Sequence, residues 1–491
     1  MKLFNKKIVN DSAFLTAAGY LNQFFHFIRG FIIARLLDPT LFGYLSGVRL
    51  VLRFTPQMHF GALHGMTRDM SIYKGANNKE NFQTSKNNGI SLIIIFSASI
   101  VLGIVIYTFF VQEKYNPYTI WGIRVFAIAA FIQQSISICR ALLRVDYRFI
   151  EISTAEIILG FSSLILAIVL VIYIGFYGAI LSFLIAHLLS LSYLVKKTKF
   201  DFKFELNKKI LRKLLLVGAP ISFIYFNRDM LRILDRLMII YFLSVKQLGY
   251  YAIAIPFFTL ITNIPASISY IMYPKMLEVY GRSDEEISST KRYFKIPTQL
   301  NAVIIAFVIG MLFLAIKYIL FYLLPRYMAS VNVVRILSFA VFFNSLSLLA
   351  IRVLITQKSF KILFIFQGIS IFTNIFLNYI LIKMGYGIKG VAVATGISYF
   401  IYSFLTLHYT LSQFYQGLFK IMMNHLKLYW PVLYVGLILL GINSIKFFHA
   451  DVIRGLSTDI IQLTINLFVF SLLTIPLFIL TNRSLIKAIK A

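Results

Sequence analysis

Eleven arginines lie within or beside stretches that are otherwise apolar: positions 29, 35, 49, 53, 124, 140, 228, 232, 236, 335 and 352. A cation at the centre of a bilayer helix costs at least ~2.5–3.5 kcal/mol, so such residues face a polar cavity or find an anion. Four of them fall in the stretch from Arg29 to Arg53. On a helix, Asn22, His26 and Arg29 share one face, and Arg49 and Arg53 stand one turn apart. A rise of ~1.5 Å per residue places Arg53 about 16 Å below the outer surface, near the midplane, and Arg29 and Arg49 about 10 Å deep. Adjacent buried cations call for an anion with adjacent charges. The guanidinium fork, permanently charged, suits phosphate oxygens, and pyrophosphate fits the pair. The structural alternative is snorkelling to the headgroups, favoured for Arg35 at a helix end. It stays open for Arg29 and Arg49.

A second polar stretch runs from Asn227 to Arg236. Arg228, Arg232 and Asp235 share a face, with Arg236 beside it, and would form another wall of an anion site. The plainer reading pairs Asp229 with Arg232 and Arg232 with Asp235 at i, i+3. Asp235 is a candidate to take a proton or Na⁺ as an anion leaves, and Glu156 is a weaker candidate for the same role. Arg140 and Arg352 sit near helix ends, where headgroup anchoring is the expectation. Arg124 and Arg335 lie near the opposite ends. Gln133, Gln134 and Asn344 lie deeper, within reach of sugar hydroxyls or neighbouring helices.

No motif for catalysis accompanies these residues. There is no phosphate loop with its lysine and no His-Glu-x-x-His. The expectation is no enzyme, no resident cofactor or metal, and energy drawn from a H⁺ or Na⁺ gradient, the membrane potential or the solute's own gradient. The single cysteine, Cys139, excludes an intrachain disulfide and a cysteine-based metal site.

The elements that must position these residues are membrane helices. Of 491 residues, 59% are hydrophobic, and mean hydropathy is +0.81; soluble domains are nearer ~45–50% apolar. Repeated apolar runs of ~20 residues predict an all-α polytopic membrane protein with about fourteen spans. The first helix falls at 12–36, the second at 41–65, the fifth and sixth at 152–174 and 177–195, the seventh at 214–243 and the eighth at 248–274. The last two fall at 428–448 and 459–481. The net charge of +30, with 48 Lys and Arg against 18 Asp and Glu, does not require nucleic acid. Roughly 29 of the basic residues fall in the N-terminus and alternate loops and roughly 8 in the opposite loops, which places both termini in the cytoplasm.

An internal repeat is visible. At a shift of about 206, Phe42-Gly43-Tyr44 falls on Leu248-Gly249-Tyr250 and Gly75 on Gly281. At about 212, Arg140 falls on Arg352, Gly175 on Gly387 and Gly178 on Gly390. The domains expected are a six-helix bundle over 1–195, a basic cytoplasmic linker over 196–213, a second six-helix bundle over 214–411, and two additional helices over 412–491. Six helices per copy make the repeat parallel, an arrangement in which two bundles rock around a central site.

The segment from Arg29 to Tyr44, with Asp38-Pro39 and Phe42-Gly43, resembles the first helical hairpin of bacterial polysaccharide and O-antigen flippases. Gly218-Ala219-Pro220, Leu234-Asp235-Arg236 and Leu248-Gly249-Tyr250-Tyr251 resemble the start of their second half. The superfamily also holds the multidrug and toxic compound extruders and the lipid II flippase. The resemblance implies an inner-membrane protein that moves undecaprenyl-pyrophosphate-linked oligosaccharide, such as an O-antigen unit for lipopolysaccharide, to the periplasmic leaflet. It places Arg29, and less closely Arg53, at cavity arginines of the lipid II flippase, and likens the last two helices to that flippase's extra pair. The partners expected are the polyprenyl-linked glycan and membrane lipids, with a polysaccharide polymerase and a chain-length regulator as candidate protein partners. Two other readings stand beside it. A cation-coupled drug exporter would favour carboxylates over arginines. A glycan polymerase or ligase would need a sizeable outer loop, and the outer loops here are short.

Overall fold

The computed structural model describes residues 6–198, 201–283, 286–444 and 455–490. The described residues form helices and turns, with no strand among them. Ten helices are long and apolar enough to cross a membrane, and the chain is an all-α, multi-pass membrane protein. Contacts divide it into two compact units, Met1–Arg236 and Leu237–Ala491.

The first unit contains α1 (Lys6–Leu36), α2 (Pro39–Val48), α3 (Ala62–Gly75), α4 (Lys79–Val111), α5 (Pro117–Val145), α6 (Phe149–Thr198) and most of α7 (Lys208–Phe242). Asp38 starts α2: its carboxylate accepts from the amides of Thr40 and Leu41, and Pro39 follows at the first helical position. α6 is two helices joined at a kink, with Gly175 at φ 52. A left-handed backbone there suits glycine. The kink falls at the short outer turn expected between the fifth and sixth helices. Just beyond it, Gly178 packs so closely on α6's other arm that an added Cβ would lie 2.0 Å from the Leu170 carbonyl oxygen.

In lipid, close packing rather than hydrophobic expulsion holds helices together. Accordingly Ser153, Ser163, Ser182 and Ser190 on α6 are fully buried, and the Ser190 hydroxyl donates to the Ala155 carbonyl at 3.1 Å. Ala62, Met66, Met70, Ile90, Ile93 and Ile138 make a core among α3, α4 and α5. The segment read as a basic linker is strapped to α4. Asn87 Nδ2 donates to Glu205 at 2.9 Å, the Glu205 amide donates to Ser91 Oγ at 3.0 Å, and the Asn207 amide donates to Asn88 Oδ1 at 2.5 Å. Asn207 then caps α7 through the amides of Lys209 and Ile210.

The second unit repeats the order of elements: α8 (Val245–Ala252), α9 (Ala254–Arg282), α10 (Lys291–Leu323), α11 (Val331–Thr356), α12 (Phe360–Lys383) and α13 (Gly387–Ser412), followed by α14 (Leu418–Ser444) and α15 (Leu456–Lys490). Here α8 and α9 follow one another almost without interruption, and residues Val245–Ser269 read as one span. Their counterpart in the first unit does not. The second helix expected over 41–65 is broken between α2 and α3, and that break positions the site.

Candidate anion-binding site

After α2 the backbone tightens into 3₁₀ turns at Arg49–Arg53 and Thr55–Gln57. Phe60 and Gly61 then take positive φ, at 46° and 90°, and α3 begins. Pro56 supplies no amide to continue an α-helix. Broken helices persist at membrane depth only where neighbours satisfy the freed backbone groups. Gln134 on α5 does so, donating to the Thr55 carbonyl at 2.6 Å. His59 Nδ1 accepts from the Gly61 amide at 3.0 Å. Two glycines let α7 close over the break: a Cβ on Gly61 would lie 2.2 Å from the Gly218 carbonyl carbon, and one on Gly65 would lie 2.2 Å from the Leu214 carbonyl oxygen.

The tight turn alters the expected geometry of the arginine pair. In an α-helix, Arg49 and Arg53 would diverge by about 40° around the axis. At about three residues per turn they diverge by about 120°. They fan apart instead of sharing a face, while Arg49 still feels the charges of both Arg29 and Arg53.

Seven of the eleven arginines of apolar segments sort into three groups. Arg35 is exposed. Arg124, Arg335 and Arg352 each contact neutral groups. Arg124 donates to Thr108 Oγ1 at 2.8 Å and lies 4.1 Å from the Phe109 ring centroid. Arg335 lies 4.4 Å from the Phe313 centroid, and Arg352 lies 4.8 Å from that of Tyr273. Arg29, Arg49 and Arg140 form the third group. Arg29 is 4% exposed. Its Nη1, Nε and Nη2 of Arg49, and Nε and Nη2 of Arg140 are buried without a protein acceptor among the described residues. Arg53 is half-buried and has other contacts.

Around this third group, α1, α5 and α6 contribute a polar lining. Glu156, solitary in the sequence, pairs with Arg140, Oε1 to Nη1 at 2.8 Å, and accepts from Asn22 Nδ2 at 2.5 Å. His187 Nδ1 lies 2.8 Å from the Phe183 carbonyl oxygen. A carbonyl only accepts, so Nδ1 carries the proton. On the neutral ring Nε2 then accepts from Gln133 Nε2 at 3.3 Å. Phe183 stacks on His187, centroids 3.9 Å apart, and the Arg29 guanidinium sits 5.5 Å from the Phe183 centroid. His26 feels the charges of Arg29 and Arg49. Buried guanidinium donors at Arg29, Arg49 and Arg140 thus lie without acceptors among the described residues, while Glu156 is paired with Arg140. Such buried donors can bind an anion, since charge-assisted hydrogen bonds are strong away from water.

Sequence reasoning brought Arg29, Arg49 and Arg53 into one region and left out Phe183, His187 and the engagement of Arg140. A histidine within an apolar helix was the available signal for His187. The backbones of Arg228 and Arg232 lie in α7, but their side chains and that of Asp229 fall outside the described residues. Asp235 and Arg236 are buried, at 2% and 6% exposure, and both have other contacts.

No curated protein matches the sequence. Solved structures share the fold. The lipid II flippase MurJ, in an inward closed conformation, aligns at 16% identity over 96% of this chain and 99% of its own, with a TM-score of 0.74. An inward-facing multidrug resistance transporter of the MATE family aligns at 13% identity over 82% of this chain and 95% of its own, with a TM-score of 0.69. A transporter of the MOP superfamily from Pyrococcus furiosus aligns at 14% identity over 85% and 96%, with a TM-score of 0.57. At these identities the likeness fixes the fold. The profile of one sequence family, described as polysaccharide biosynthesis protein, matches residues 32–323. That is more than half of the chain, and the chain belongs to the polysaccharide biosynthesis protein family.

Proposed function

We propose that the protein is a flippase that carries a polyprenyl-pyrophosphate-linked oligosaccharide across the bacterial inner membrane by alternating access. Undecaprenyl pyrophosphate bearing an O-antigen or related repeat unit is the substrate class. The reading rests on one observation above all: Arg29 and Arg49 bury guanidinium donors that have no acceptor among the described residues. Leaving such charges unpaired costs several kcal/mol unless an anion supplies the acceptors. Family membership and the fold shared with a lipid II flippase support a lipid-linked glycan as the source of that anion. Arg29, Arg49 and Arg53 would hold the diphosphate, and Gln133 would offer its amide to a sugar or phosphate oxygen. The chain would move its substrate without a chemical step. Buried guanidinium donors at Arg29, Arg49 and Arg140 disfavour a cationic drug as cargo.

Coupling to H⁺ or Na⁺ is part of the proposal, with Glu156 and Asp235 as candidate carboxylates. Both termini lie in the cytoplasm under the basic-loop rule. The experiment is flipping in proteoliposomes by purified full-length protein, using polyprenyl-pyrophosphate-linked oligosaccharide and, separately, a cationic dye. Glycan flipping that falls on the order of a hundredfold or more in Arg29→Gln and Arg49→Gln is the result expected. Full glycan flipping in both variants, or transport of the dye alone, would overturn the reading.

A further inference from the structure

Away from the arginines, the second unit gathers lysines around one tyrosine. Lys291 and Lys295 lie on the first turns of α10, Tyr415 in the turn between α13 and α14, and Lys420 on the first turn of α14. Lys291 Nζ lies 4.0 Å from the Tyr415 ring centroid and Lys295 Nζ 6.0 Å. Lys291 also donates to the Phe414 carbonyl at 3.2 Å. The like charges of Lys295 and Lys420 both act on Lys291. Among the described residues, no carboxylate pairs with any of the three. The Tyr415 hydroxyl is buried and has no partner among the described residues. Lys291 and Lys295 are held at one tyrosine ring with Lys420 close enough to act on Lys291; the like charges repel one another, and an anion would relieve that repulsion.

The same place is apolar on its outer side. Leu418 and Phe419 open α14 and are 66% and 78% exposed. Exposed apolar side chains beside a basic cluster at the end of a membrane helix match the two parts of a phospholipid: charge for the headgroup, hydrocarbon for the chains. A soluble anion would use only the first part.

We infer that Lys291, Lys295 and Lys420, with the Tyr415 hydroxyl, form a site for the phosphate of an anionic phospholipid whose acyl chains lie against Leu418 and Phe419. The site belongs to the second unit alone and is independent of the anion site proposed for transport. It adds a lipid to the direct packing of α10 on α14, a helix which the core repeat does not include.

The test uses full-length protein in neutral detergent, with bound lipid counted by native mass spectrometry during titration. Phosphatidylglycerol is the probe. Phosphatidylcholine removes the net charge, and glycerol phosphate removes the chains. Phosphatidylglycerol is expected to bind, and the other two are not at equal concentration. Replacing all three lysines by glutamine is expected to weaken binding on the order of a hundredfold, about fivefold for each lysine. Tyr415→Phe, which keeps the ring packing, is expected to weaken it several-fold. A control that replaces Lys79, Lys208 and Lys209 by glutamine removes equal charge elsewhere and is expected to bind as the wild type does. The inference fails if the Lys291, Lys295 and Lys420 triple variant binds as the wild type does. It fails equally if the control loses as much, or if glycerol phosphate binds as tightly as phosphatidylglycerol.

Discussion

Gly61 and Gly218 meet backbone to backbone: a Cβ on Gly218 would lie 2.0 Å from the Gly61 carbonyl oxygen, and one on Gly61 would lie 2.2 Å from the Gly218 carbonyl carbon. Gly61 also holds φ at 90°. Two separate penalties therefore attend Gly61→Ala, steric contact and left-handed strain, together about 2–6 kcal/mol. Gly218→Ala meets the contact alone and is expected to cost less. Gly103→Ala on α4, where nothing lies within 4 Å, is expected to be neutral or slightly stabilising. Thermal midpoints of the purified variants in detergent test the order. Equal midpoints for Gly61→Ala and Gly103→Ala would mean that the close crossing does not hold the break in place.

The spans were legible because an apolar run of sufficient length has one meaning in a bilayer, and Gly175 marked a turn that the structure keeps. The break between α2 and α3 was harder to read. Apolar text continues through residues 41–65, and Pro56 and Gly61 acquire their meaning only from what lies opposite. Gln134 accommodates the first and Gly218 crowds the second, and neither is near in sequence. Glu156 has the same history. Its partner Asn22 lies 134 positions away, beyond any helical periodicity, so the sequence presents it as a lone carboxylate. Periodicity tells which residues share one helix's face; it cannot tell which neighbouring helix meets that face. The clamp on Glu205 was hidden for another reason. Composition from Lys196 to Lys213 is dominated by lysine, and one glutamate with Asn87, Asn88 and Ser91 decides where the segment runs.

Arginines kept for binding and arginines kept for structure should respond oppositely to removal. Arg29 and Arg49 hold donors without acceptors among the described residues, so replacing either by methionine removes a desolvation cost and is expected to raise stability by about 1–3 kcal/mol while abolishing flipping. Arg124, bonded to Thr108 and packed on Phe109, is expected to lose about 1 kcal/mol on the same change. Thermal midpoints without substrate, set beside flipping rates, separate the two classes. A fall in midpoint for both Arg29→Met and Arg49→Met would show that these side chains hold the fold rather than await an anion.

The Arg140–Glu156 pair gives a test of coupling that does not depend on the sugars. Half of the pair left alone is an uncompensated charge in a partly buried place, so Glu156→Gln and Arg140→Met should each destabilise, by about 1–3 kcal/mol. The double variant is expected to cost less than the two together, with an interaction of about 0.5–3 kcal/mol in the cycle. That result would establish the pair, which a structural role also explains. The distinguishing measurement is flipping in proteoliposomes under an imposed pH gradient. An anion that competes for Arg140 would free Glu156 to take a proton, so the gradient should accelerate the wild type and leave Glu156→Gln unaffected, even where its basal rate persists. Glu156→Gln that responds to the gradient as the wild type does would remove Glu156 from coupling and leave Asp235 as the carboxylate to examine.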